Sequence, residues 1–382
     1  MILRIASKIA LILLVLSLIS LGCGSSDAPA APTLPQDDTS TAPGETPSDT
    51  TPPAGDTDTA DVPDPVEPLP TLAPSQPTGG FDYYADLYNT LGHTDSVRVR
   101  GRLVHEDGMP ETVTTTPLSQ LSQDEATARA LSLWINNTQI AALSTDDEGY
   151  FDHRADIAIM GLEPGIYSVQ ARVDNVVAGH SEATLLALDH TQAVLRSDVD
   201  LTYLNTDFHT WDAMAALMIE DASDRDTLPG MAAVYQKLAR PTVFLSGSPR
   251  FFKRILEGKM ELDSVDNAGV ILKPYKDLVV LGLWDFDPLS IVPSLKEQIG
   301  YKLTRLLQLR QDLPPSAQEI LMGDDSEADQ VVYNLYQRFT SGALSTEQLL
   351  AAVQALDVAD PWLSDIQLEA PRALQALAGH PF

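Results

Sequence analysis

Cysteine is almost absent from this 382-residue chain. Cys23 is the only one, so no disulfide can form within it. Basic residues are scarce too: 24 Lys and Arg stand against 54 Asp and Glu, a formal net charge of -30. So acidic a surface disfavours nucleic acid and anionic lipid as partners held by bulk electrostatics. An anionic substrate would need a local metal or lysine. The seven His residues show no metal-ligand spacing. Between Ser25 and Gly80 there is no Lys or Arg and almost no bulky apolar residue. Such a segment cannot bury enough surface to offset its ordering entropy, which excludes a compact domain there. Residues 23–80 are expected to be a disordered, extended tether.

What is present begins with an export pattern. Arg4 and Lys8 precede an apolar run, Ile9 to Leu21, that is too short for a comfortable membrane span of ~20 residues. It ends in Ser20-Leu21-Gly22-Cys23, which resembles the lipobox of bacterial lipoproteins, with Ser20 where Leu is usual. That resemblance implies a signal peptide over 1–22 and acylation of Cys23. It implies a lipid-anchored protein of the bacterial cell envelope. Gly24 is not an Asp retention signal, so the outer membrane is the expected destination, on its periplasmic or surface face. The bland alternatives are a cleaved signal with an incidental Cys, or an uncleaved anchor.

Phe81 to Leu91 mixes aromatics with Asp and is expected as a short helix. From Ser96 the pattern alternates, as a half-buried strand requires. Val97 to Val104, Leu131 to Ile135, Ile157 to Ile159 and Tyr167 to Val173 are the expected strands. Thr145 to Phe151 and Leu162 to Tyr167 carry turn chemistry, Asp with Gly and then Pro-Gly. These segments resemble the transthyretin-like or carboxypeptidase-regulatory sandwiches, which implies a β-sandwich over 81–190. Asp146, Asp147 and Glu148 lack the ligand order of a calcium loop and are expected to form a plain acidic turn.

After Thr191 apolar strands alternate with amphipathic helices. Ala193-Val194-Leu195, Thr242 to Leu245, Leu278 to Leu281 and Glu319 to Met322 are strand-like. Gly230 to Leu238, Leu295 to Leu309 and Gln330 to Phe339 are helix-like. The alternation predicts an α/β domain with a Rossmann-like parallel sheet over 191–342, its site at the C-terminal strand ends. Ser345-Thr346-Glu347-Gln348 has the form of a capping box opening a helix over Leu349 to Leu356, in a C-terminal extension over 343–382.

Asp198-Val199-Asp200-Leu201-Thr202 follows the first of these strands. Two carboxylates two residues apart on an extended chain point the same way. One can attack phosphorus while the other protonates the leaving oxygen. Singly, such residues more often cap a helix or sit in a turn. Here Ser246 follows in Leu245-Ser246-Gly247-Ser248-Pro249, then Lys302 on a helix, then Gly323-Asp324-Asp325-Ser326-Glu327-Ala328-Asp329. Phosphoryl transfer needs a nucleophile, a cation and a proton donor. Mg²⁺, a hard ion, takes oxygen ligands such as Asp198, Asp324 and the Asp200 carbonyl.

This order resembles the four motifs of the haloacid dehalogenase superfamily. By that resemblance Asp198 is the nucleophile and Asp200 the general acid and base. Ser246 is the second-motif hydroxyl and Lys302 the third-motif lysine. Asp324 is a metal ligand, and Thr202 and Asp325 or Asp329 support the metal shell. Pro229-Gly230-Met231, Tyr235, Leu238 and the Ser246-to-Pro249 run, with Tyr301-Lys302, look like the actin-patch phosphatidate phosphatase family, a relative of the lipin-type domain. Tyr301 stands where His is usual, Asp325-Ser326-Glu327 where Ser-Gly-Gln is, and Leu201 where an acid is common. The resemblance implies a Mg²⁺-dependent phosphatase acting on phosphatidate. The alternatives are a phosphatase for another, soluble phosphomonoester, or a catalytically inactive envelope binding lipoprotein.

Overall fold

The computed structural model describes residues 83–105, 125–206, 217, 219–273, 295–325 and 328–379. The export pattern, Cys23, the tether and the strand expected at Leu278 to Leu281 lie outside them. Eight strands come first: β1 (Tyr83–Leu87), β2 (Thr90–His93), β3 (Ser96–His105), β4 (Ala130–Ile135), β5 (Thr138–Ser144), β6 (Tyr150–Asp156), β7 (Gly165–Val173) and β8 (Val176–Leu186). They form one sheet in the order β1-β3-β2-β8-β7-β4-β5, with β6 on β3. All pairs are antiparallel except β2 with β8. Val99 and Leu103 of β3, Leu133 and Ile135 of β4 and Val169 of β7 are buried together in one apolar cluster. Asn136-Asn137 and Asp174-Asn175 close the β4–β5 and β7–β8 hairpins. All four have positive φ, between 47° and 66°, a conformation Asn and Asp tolerate.

Two expectations are corrected here. Phe81 to Leu91 is no helix where it is described. Ala85 and Leu87 are buried while Tyr84 and Asp86 are less so, a period of two, and β1 pairs with β3 over its whole length. Ile157 to Ile159 is no strand either. Three apolar residues are too few to set a period. The Asp156 carboxylate accepts the Ala158 N–H at 3.0 Å and Gly161 closes a single 3-10 turn at positive φ, leaving Ile159 97% exposed. The neighbouring strand is β6, and Tyr150 and Phe151, expected in a turn, begin it.

The second sheet is parallel: β9 (Ala193–Ser197), β10 (Thr242–Pro249), β11 (Gly269–Lys273) and β12 (Gln318–Met322), in the order β11-β10-β9-β12. Its helices are α1 (Met231–Leu238), α2 (Lys253–Leu262), α3 (Leu295–Arg310), α4 (Asp329–Thr340), α5 (Thr346–Ala355) and α6 (Asp360–Leu377). Successive side chains of a strand point to opposite faces. Val194, Val243, Leu245 and Ile271 therefore pack with α3 to α6 on one face. Leu195, Phe244, Val270 and Leu272 pack with Tyr235 of α1 and Leu256 and Met260 of α2 on the other. β9 lies between β10 and β12, so connections leave it in both directions. That topological switch opens a crevice beyond its carboxyl end. Among the described residues no helix is long and apolar enough to cross a membrane.

The capping box is present: Ser345 Oγ accepts from Gln348 N at 3.2 Å and Gln348 Oε1 from Ser345 N at 2.9 Å. α6 then returns across α3. A Cβ at Gly300 would lie 2.5–2.8 Å from three Trp362 atoms, so only glycine admits this indole. Gly300→Ala should cost about 1–3 kcal/mol in urea denaturation, the usual effect of overpacking, and Trp362→Leu in the same chain should recover part of it. An unchanged midpoint would refute the contact.

Candidate active site

The last ladder bond of β9 is made beyond its end: Asp198 N–H donates to the Met322 carbonyl of β12 at 2.9 Å. Asp198 is thereby fixed at the mouth of the crevice, 1% exposed. The chain then turns back. The Val199 carbonyl accepts from the backbone N–H of Tyr203 (2.8 Å) and Leu204 (2.9 Å), and Leu201 takes a positive φ of 58°. Asp198 and Asp200 thus sit in a tight loop beyond the strand rather than on one extended segment.

Asp200 meets β10. Its Oδ2 accepts from Ser246 Oγ and from Ser248 Oγ, both at 2.8 Å, and Ser248 N–H donates to Ser246 Oγ at 2.9 Å. Two donors on one oxygen fix the carboxylate's rotamer. The sequence pointed to Ser246 and passed over Ser248. The signal was there, since residues two apart on a strand share a face.

Lys302, fully buried on α3, donates from Nζ to Asp198 Oδ1 at 2.8 Å and to Asp329 Oδ1 at 2.6 Å. Lys296, the other lysine at this helix, is on the surface with Asp357. Asp198, Asp324 and Asp329 each bring a carboxylate oxygen within 4.8 Å of the others. Asp329 therefore joins this ring directly, while the Asp200 side chain is turned to the serines. Asp325 is exposed. Thr202 is buried, and its hydroxyl hydrogen-bonds to none of these groups. Gly323 lets Asp329 in: a Cβ there would lie 2.2 Å from Asp329 Oδ2.

Burial pushes the Asp198 carboxyl well up, and the charges of Asp329 and Asp200 add to this against the pull of Lys302. Burial likewise raises Asp329. Asp198 Oδ2 and Asp329 Oδ2 are buried and, among the described residues, meet no hydrogen-bond donor. Three carboxylates around one ammonium leave negative charge uncompensated, with hard oxygen atoms facing one another. That donor set fits a divalent metal ion.

Residues 193–343 match the family model described as phosphatidate phosphatase APP1, catalytic domain, a match that supports a phosphatase. No curated protein sequence matches. Among solved structures, the polysaccharide deacetylase BA0330 from Bacillus anthracis, so described, is similar at 10% identity. The similarity covers 50% of this chain and 60% of that one at a TM-score of 0.16, which carries no argument.

The carboxylates raise Lys302 above its ordinary range. The stability its ion pairs contribute is therefore complete at neutral pH and lost only as pH rises through that raised value. Lys302→Met should destabilise the metal-free protein by about 3–5 kcal/mol, because it strands buried charge. Denaturation in a chelator measures this, and a divalent ion should restore part of it. A loss below ~1 kcal/mol would contradict the ion pairs, since it is the size of a surface pair.

Proposed function

We propose that this chain is a Mg²⁺-dependent phosphatidate phosphatase of the haloacid dehalogenase type, acting through an aspartyl-phosphate. The observation that carries the proposal is the convergence of Asp198, Asp200, Ser246, Lys302, Asp324 and Asp329 at one end of the parallel sheet. Mg²⁺ held by Asp198, Asp324 and Asp329 would neutralise the phosphate oxygens. Asp198, oriented by Lys302, attacks phosphorus. As the bond to the leaving oxygen breaks, Asp200 gives that oxygen a proton. Asp200, now a carboxylate steadied by Ser246 and Ser248, then takes a proton from water. That water attacks phosphorus, releases phosphate and regenerates Asp198.

The wider architecture belongs to the same proposal. Residues 1–22 are a signal peptide, Cys23 is acylated, and 23–80 tether the rest to the outer membrane. A β-sandwich domain (81–190) precedes the phosphatase domain (191–342) and the C-terminal extension. The antiparallel sheet's own apolar core supports this division, although Leu91 and Leu186 join the cluster of the parallel sheet. A phosphatase anchored in a membrane would meet a phospholipid substrate without binding it from solution.

Phosphate release from phosphatidate in mixed micelles by the full chain tests the proposal. Activity should require Mg²⁺, vanish with a chelator and fall roughly 10³-fold or more in Asp198→Asn. Turnover of an aryl phosphate alone would keep the phosphatase and discard the lipid. No turnover of either would leave a binding protein.

A further inference from the structure

Two tyrosines reach the backbone of Asp198, one from each face of the parallel sheet. Tyr333 of α4 comes from the face that packs with α3 to α6. Its hydroxyl donates to the Met322 carbonyl at 3.0 Å, the same carbonyl that accepts Asp198 N–H at 2.9 Å. Tyr235 of α1 comes from the other face. Its hydroxyl lies 2.5 Å from Ser197 Oγ, and Ser197 Oγ donates to the Asp198 carbonyl at 2.8 Å. A serine hydroxyl has a single proton, so Tyr235 is the donor in its bond to Ser197. The N–H and the C=O of Asp198 are thus each tied to a phenol through one intervening group. Tyr333 also bears on Asp329, one turn before it on the same face of α4. Both close on Gly323, where a Cβ would lie 2.7 Å from the Tyr333 ring and 2.2 Å from Asp329 Oδ2. Burial, with the charges of Asp329 and Asp198 added, raises the Tyr333 hydroxyl well above its ordinary range, so it stays a donor.

We propose that Tyr333 and Tyr235 are positioning residues that together fix the Asp198 backbone, and through it the aim of the Asp198 carboxylate at Asp324 and Asp329. This rests on the metal-dependent phosphatase reading above. Both ladders of β9 end at Ser197. Asp198 lies one residue beyond them, and the chain turns back at Leu201. A strand end of this kind frays unless something replaces the ladder. The two tyrosine relays do so, on the N–H and on the carbonyl. A peptide held on both sides cannot rotate, and its side chain then starts from a fixed point. Neither phenol supplies a ligand or a proton to the proposed reaction. Their effect passes through Asp198, as that of outer-shell groups passes through the ligands they orient.

Calorimetric titration of the full chain with Mg²⁺ tests this without any substrate. Tyr333→Phe and Tyr235→Phe keep the ring and lose only the hydroxyl. Each should weaken Mg²⁺ binding about 10-fold or more, the effect of removing a group that orients a metal ligand. Ser197→Ala breaks the Tyr235 relay at its other member and should match Tyr235→Phe. The two changes combined should add little, because they cut one chain of bonds. Tyr336→Phe is the comparison: it too lies on α4, but its hydroxyl donates to Glu319 at 2.7 Å, behind the site. It should lower the urea midpoint and leave Mg²⁺ affinity unchanged. Wild-type affinity in either Tyr333→Phe or Tyr235→Phe overturns the inference. So does an equal loss in Tyr336→Phe, which would make the effect one of general loosening. A wild-type chain that binds no Mg²⁺ defeats the metal-dependent reading itself, a distinct result.

Discussion

The structure depends on one buried ammonium. Lys302 holds Asp198 and Asp329, one from the end of the first parallel strand and one from the start of α4, with no water between. Removing such charges from solvent costs several kcal/mol per ion before any attraction is counted. The cost is met only where the lysine cannot drift, so α3 must be rigid. Ile299, Tyr301, Leu303, Leu306 and Leu307 are all buried around it. Trp362 of α6 locks onto Gly300, two residues before Lys302. Gln308 and Gln311 of the same region donate to Glu369 of α6 at 3.2 and 2.8 Å. α6 lies beyond the residues that match the family. It contributes no group to the site, yet it seals the helix that carries the site's lysine.

Behind the site a second buried network ties the layers. Arg196 on β9 donates to Glu319 on β12 at 3.1 Å and to the Leu309 carbonyl at the end of α3 at 3.0 Å. Tyr336 of α4 donates to the other oxygen of Glu319 at 2.7 Å. The elements that deliver Asp198, Lys302 and Asp329 are thus bonded to one another at the far end as well. The antiparallel sheet is joined by charge. Asp312, just past α3, pairs with Arg154 at 2.7 Å and with Arg100 at 3.6 Å, and Lys253 of α2 pairs with Asp86 at 3.1 Å. Apolar contact adds to this, since Leu91 and Leu186 belong to the same buried cluster as Val243 and Ala268.

The parallel sheet was legible in part because β9 and β10 are apolar runs buried on both faces. β12, at the sheet's edge, leaves Gln318 and Ile320 exposed but keeps the run Ile320 to Met322. The helix positions followed from their apolar periods. β11, Gly269-Val270-Ile271-Leu272-Lys273, was missed although it has the same character. It lies between an acidic loop and a lysine, and one run of three apolar residues sets no period by itself. α2 was missed for a related reason: Lys, Arg, Glu and Gly interrupt its apolar stripe. The site was legible through spacing in order along the chain. Its coordination was not. Whether Asp200 or Asp329 completes the carboxylate ring depends on the backbone turn at Leu201 and on the missing side chain at Gly323, and neither follows from residue type alone.

The charge of the whole chain sharpens the role of these few cations. A protein of net charge -30 repels an anionic phosphomonoester at long range, and salt only weakens that repulsion. Binding must therefore be won locally. At the site each described cation is already committed. Lys302 is shared by two carboxylates and Arg225 by Glu220 and a carbonyl. A phosphate entering without a further cation would meet Asp198, Asp324 and Asp329 with one ammonium among them. The site that fits phosphate chemistry is thus hostile to phosphate until a divalent ion occupies the carboxylate ring. On the proposed mechanism the metal ion would therefore bind before the substrate, and substrate affinity would be linked to it.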